Sequence, residues 1–154
     1  MSDPFDPSVV APNTYCCVDD VAGFLPPGIT VSGTTDPSDV QVASYILDVA
    51  DELNGALRSK GFSLPVTSDD IFAISYLNSA NVFGALGVFY KVKYPSDAGP
   101  GGSKGAGEYW EGKYQHYLKG IESGALGLPD EDRSGTVGGF EHSSRPFARR
   151  RSVW

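Results

Sequence analysis

Apolar residues along this chain are gathered into blocks, and the blocks with a helical repeat mark where a core can form. Residues 68–91, SDDIFAISYLNSANVFGALGVFYK, carry no charged side chain between Ile71 and Tyr90. Their apolar positions (Ile71, Phe72, Ile74, Tyr76, Leu77, Val82, Phe83, Leu86, Val88 and Phe89) fall on more than one side of a 3.6-residue wheel. A helix that is apolar nearly all round must be buried nearly all round. Ser68 is suited to cap its start, Asp69 and Asp70 suit the positive end of the helix dipole, and Lys91 and Lys93 suit the other end. Such a helix is expected to pack one face within its own subunit and to offer the other to a neighbour. Ala73, Ala80, Gly84 and Gly87 leave room for a second helix to come close. The block is also about as long as a membrane span. Against that reading, Ser75, Asn78, Ser79 and Asn81 dilute it, and an amide at membrane depth needs a partner that a single span lacks. The opening MSDPFDPS has no basic run followed by an apolar core, so it does not read as a signal peptide.

The second periodic block begins with one of the best start signals in the chain, Asp36 as N-cap and Pro37 at the first helical position, with Asp39 in the first turn. Val40, Ala43, Ile46, Leu47, Ala50, Leu53 and Leu57 then recur at threes and fours, and Gly61 closes the helix after Lys60. The short link FSLPVT makes this helix an antiparallel neighbour of the central one. Residues 108–123, EYWEGKYQHYLKGIES, predict another helix, with Tyr109 or Trp110, Tyr114, Tyr117, Leu118 and Ile121 on its apolar face. Residues 14–25 predict a short helix with Tyr15, Val18, Val21 and Ala22 on one side, too short to stand without docking. The β-prone ITVSGTT reads as a hairpin arm or a loop. YPSDAGPGGSKGAG, with five glycines and two prolines, reads as a flexible linker. The fold class is therefore mainly α: a small bundle of about four helices. The bundle carries an extended N-terminal arm (1–13), a helical domain (14–128) and a C-terminal tail (129–154). Phe5, Val9 and Val10 are suited to anchor the arm on a neighbouring surface.

Composition changes this picture little, but charge changes it a good deal. Nineteen glycines and eleven prolines in 154 residues concentrate the core in the few periodic blocks. Residues 1–132 hold seven Lys and Arg against eighteen Asp and Glu, a net of −11, and residues 133–154 hold five Arg against one Glu, a net of +4. Phosphate binding needs clustered cations, so the acidic body is excluded as a general nucleic-acid binder. The tail instead pairs arginine with Phe140, Phe147, Val153 and Trp154, as a segment that orders on a partner would, the other reading being a solvated terminus with chance aromatics.

The candidate chemistry is sparse. Adjacent Cys16 and Cys17 cannot form a useful staple, and a reducing compartment is the default. His116 and His142 stand apart, one on a helix and one in the tail, and no Gly-x-Ser-x-Gly elbow is present. The glycine-rich stretch around Lys104 lacks the Gly-Lys-Ser/Thr of a phosphate loop. Asp19-Asp20 and Asp130-Glu131-Asp132 lack the alternation of a calcium loop. No enzyme, metal site or cofactor is expected.

In order and texture, TYCCVDDVAGFLP, DPSDVQVASYILDVADELNGAL, the uncharged third helix and GEYWEGKYQHYLKGIESGAL followed by a tail resemble the head-to-tail adaptor (connector) proteins of tailed bacteriophages and related gene transfer agents. The resemblance covers about residues 14–128 and rests on the order of elements, with no invariant motif. It implies a structural virion protein of the neck, made in the host cytoplasm. It further implies a ring of about twelve copies beneath the portal protein, with a stopper or tail-completion protein below it. DNA passes through such a channel without specific binding, and no membrane is involved. Under this reading Phe72, Tyr76, Phe83 and Phe89 are expected to pack subunits together. Phe140, Arg145, Phe147, Arg149, Arg150, Arg151 and Trp154 are expected to dock on the portal. Other readings are a stopper or tail-completion protein, a nucleic-acid accessory protein using the basic tail, and a single-span membrane protein such as a holin.

Overall fold

A computed structural model describes residues 5–64, 66, 71–95 and 103–124 of the chain, with side chains of the last segment from residue 105. Its elements are helices: α1 (Val18–Ala22), α2 (Asp39–Ser59), α3 (Ile71–Lys93) and α4 (Ser103–Glu122). Among the described residues there is no strand, so the fold is mainly α.

The uncharged block forms the centre of the bundle, because α3 packs against all three other helices. Its first half, Ala73, Leu77 and Ala80, meets Leu53 and Leu57 of α2 and Leu118 and Ile121 of α4. Its second half, Val82, Ala85, Leu86 and Phe89, meets Val18 and Val21 of α1 and Val42 and Ile46 of α2. Each fully buried Leu or Phe in these layers contributes about 1.5–3 kcal/mol. By length and composition α3 would suffice to cross a membrane, and half of its most apolar 18-residue window is buried inside this chain. The expected cap at Ser68 lies outside the described residues.

The glycines of α3 serve the close approach that their spacing predicts. A Cβ at Gly84 would lie 3.1 Å from the Tyr114 ring and collide with Val49, and one at Gly87 would lie 3.3 Å from the backbone nitrogen of Glu111. The same logic corrects the linker expected over residues 94–107. Helix α4 already begins at Ser103, and Gly107 within it lies against Tyr90 and Lys91. The first turns of α4 form despite glycine's poor helix propensity, because they pack on the end of α3.

Three other expectations also shift. Ser38, not Asp36, caps α2: its side chain accepts from the Gln41 N–H at 3.3 Å, and Gln41 Oε1 accepts from the Ser38 N–H at 2.7 Å. This reciprocal pair is the capping box that serine three residues before glutamine permits. The buried stripe of α2 runs through Val42, Ile46, Val49, Leu53 and Leu57, leaving Val40 and Leu47 exposed. Helix α1 is shorter than expected: Thr14 to Cys17 are buried before it but lie outside any helix, and Cys17 at its N-cap is extended. The β-prone piece is a loop, tied by the Ser32 N–H donating to Thr35 Oγ1 at 2.9 Å and the Asp39 N–H donating to the Ser32 carbonyl at 3.1 Å.

Candidate interaction surface

The non-helical segment before α1 is held by side-chain amides. The Tyr15 N–H donates to Asn81 Oδ1 at 3.0 Å, and Asn81 Nδ2 donates to the Ile46 carbonyl at 3.0 Å. Asn78 Nδ2 donates to the Tyr15 carbonyl at 2.9 Å. Asn54 Nδ2 donates to the Asn13 carbonyl at 2.9 Å and its Oδ1 accepts from the Tyr15 hydroxyl. Burial raises the Tyr15 hydroxyl above its ordinary pKa. With its N–H and carbonyl bound to amides, Tyr15 has no need of a helix to satisfy its backbone. Sequence reasoning noticed Asn78 and Asn81 only as dilution of an apolar helix. The available signal was stronger, since a buried amide must find partners.

A strip of aromatic rings lies where the loop after α1 meets α3 and α4. Phe83 stacks on Trp110 with centroids 5.4 Å apart, and Phe24 sets its edge against both at 5.8 Å. Tyr117 meets Phe83 at 5.5 Å and Tyr76 at 4.5 Å, and the Tyr76 hydroxyl donates to the Tyr117 carbonyl at 2.9 Å. The Lys113 ammonium lies over Phe83 at 5.5 Å and over Tyr109 at 5.2 Å. The strip is half open to water: Phe24 is 50% and Tyr109 56% exposed, and Phe83, Trp110 and Tyr117 are half-buried. Near it, at the start of α3, Ile71 is 82% and Phe72 71% exposed. Val10 of the arm joins Tyr15, Ile71, Ile74, Ser75 and Asn78 around a groove of about 470 Å³.

Of the residues expected to pack subunits, Phe72 is therefore on the surface, and Tyr76 and Phe83 are partly so. Phe89 is the correction: its ring is fully enclosed by the chain's own core. It faces α1 and α2 because it lies on a different side of α3 from Phe72 and Phe83. The residues expected to dock on a portal, Phe140, Arg145, Phe147, Arg149, Arg150, Arg151 and Trp154, lie outside the described residues, as does the boundary expected at residue 128.

Groups that carry chemistry elsewhere are quiet here. Cys16 and Cys17 are free and buried. Burial pushes the Cys16 thiol up, and the Asp20 carboxylate adds to the shift; burial also raises Cys17. A thiol kept protonated is a poor nucleophile. Burial raises the Tyr114 hydroxyl too, reinforced by its hydrogen bond to Glu52 Oε2 at 2.7 Å. His116 is exposed on α4, and among the described residues no group of His, Cys, Asp and Glu is placed to hold a metal. No family model matches the chain, and no curated protein or solved structure matches it either.

Proposed function

We propose that the chain is a structural subunit of a virion neck, a head-to-tail adaptor that assembles as a ring beneath a portal protein and extends the DNA channel towards the next neck or tail protein. The observation that carries this reading is the aromatic and apolar surface at the start of α3 and along the α3–α4 seam, on a four-helix unit whose charge is strongly acidic. Apolar rings left half in water are suited to burial against another chain. An acidic wall lets DNA slide past without sticking. In this role Phe72, Tyr76 and Phe83 meet a neighbouring subunit. Phe140, Arg145, Phe147, Arg149, Arg150, Arg151 and Trp154 dock on the portal, and a stopper or tail-completion protein receives the opposite side. The role is mechanical, takes place in the virion and uses neither cofactor nor membrane.

The test is to mix the purified chain with portal-bearing capsids and image the particle necks by electron microscopy. A ring of added density beneath the portal is expected, and a chain lacking residues 133–154 should remain helical and fail to add it. Normal addition by the truncated chain, or no density from the full one, overturns the reading.

A further inference from the structure

We propose that the aromatic strip of Phe24, Phe83, Trp110 and Tyr109 is the docking surface for this chain's own arginine segment, residues 145–151 (RPFARRR), in the free subunit. The strip already holds one cation over its ring faces, since Lys113 lies above both Phe83 and Tyr109. Guanidinium is better suited to that place than ammonium, being planar, more weakly hydrated and able to stack on a ring.

Connectivity favours the same chain as the source. Gly120 packs against Tyr76 near the C-terminal end of α4, so residue 125 onward begins at the Tyr76–Tyr117 end of the strip. From Tyr117 back to Tyr109 the strip follows α4 for about 12 Å. Twenty residues separate Gly124 from Arg145, and a flexible chain of that length has a root-mean-square reach of about 25 Å, longer than the strip. A tether of that kind holds its end near the site at about millimolar effective concentration, well above that of a second copy in dilute solution. Charge points the same way, with a net of +4 on residues 133–154 against −11 on the rest. The contact is weak enough to be exchanged. In the adaptor role it would cover Phe83 until a portal takes the tail, but the inference itself concerns the isolated chain and is tested there.

Trp110 is the reporter, because Trp154→Phe leaves it as the only tryptophan while keeping an aromatic ring in the tail. Quenching of its fluorescence by the neutral quencher acrylamide is compared in this full-length variant and in the same variant carrying Arg149→Gln, Arg150→Gln and Arg151→Gln. Circular dichroism checks that both remain helical. The expected result is quenching roughly twofold more efficient without the arginines, with the protection in their presence unchanged across roughly tenfold dilution. Equal quenching of the two proteins overturns the proposal. So does protection that fades on dilution, which would assign the strip to a second copy. Either failure leaves the ring beneath the portal to be judged by its own experiment.

Discussion

Asn81 has no exposed surface and sits in the middle of the most apolar helix of the chain, with one side of its amide on the Tyr15 N–H and the other on the Ile46 carbonyl. Replacing it with leucine keeps the bulk and strands the Tyr15 N–H, so Asn81→Leu should lower unfolding stability by about 2 kcal/mol, measured by urea denaturation. Tyr114 predicts a pH effect. Its folded pKa is raised above the ordinary 10.0, chiefly by burial. Below that value both folded and unfolded chains keep the proton and the contribution is fully present. Above it the unfolded chain ionises first, so stability falls by about 1.4 kcal/mol per pH unit for this group. Tyr114→Phe should cost about 1 kcal/mol at neutral pH through the lost Glu52 hydrogen bond. It should also make the alkaline fall in stability shallower by one proton's worth. Denaturant titrations from pH 9 to 11, read against the ordinary value of 10.0, check the sign.

Among the elements, α3 and α4 form the tightest pair, and their contact is set by what is missing from glycine. At Gly84 an added methyl would collide with the Val49 side chain of α2 and press on the Tyr114 ring at 3.1 Å, so the β-branched Val49 would have to shift. Gly84→Ala should therefore destabilise the fold by about 1–3 kcal/mol, despite alanine's better helix propensity. Gly112 of α4, with nothing within 4 Å of the added atom, is the matched control. Gly112→Ala should be neutral or stabilising by up to about 1 kcal/mol. Thermal unfolding of the two variants separates packing from propensity. The Lys91–Glu111 pair that links the same helices, 2.5 Å apart and about half exposed at both ends, contributes at most about 1 kcal/mol.

For the whole molecule, the apolar surface around Ile71, Phe72 and the aromatic strip is the part left facing water, while Tyr76, Phe83, Trp110 and Tyr117 also pack one side against the core. If it meets neighbouring subunits, Phe72→Ser should leave circular dichroism and the urea midpoint nearly unchanged while reducing ring density beneath the portal in electron micrographs. Loss of helix in that variant would instead make Phe72 a core residue. The helices were legible to different degrees for physical reasons. The long uncharged run of α3 read as a core helix because its apolar residues fall on more than one side, and the amides that argued against a membrane span take backbone partners inside the chain. The aromatic face of α4 pointed inward as its spacing implied, with Trp110 and not Tyr109 on the inner side. The start of α2 was misread because Asp36-Pro37 and Ser38 with Gln41 are both good signals, and the chain uses the second. The strip was invisible as a unit, since Phe24, Phe83 and Trp110 are far apart in the chain and become neighbours only when the loop after α1 crosses α3 and α4.

The amino-acid order alone determined the mainly helical class, the central place of the uncharged block and the acidic balance of the first 132 residues, because periodicity and charge are properties of local sequence. Tertiary structure decided which apolar residues remain in water, why Thr14 to Cys17 stay outside a helix and why a glycine-rich stretch becomes the first turns of α4. Those outcomes depend on a partner supplied from elsewhere in the chain: an amide for Tyr15, the facing surface of α3 for Gly107, and three separate elements for one stack of rings.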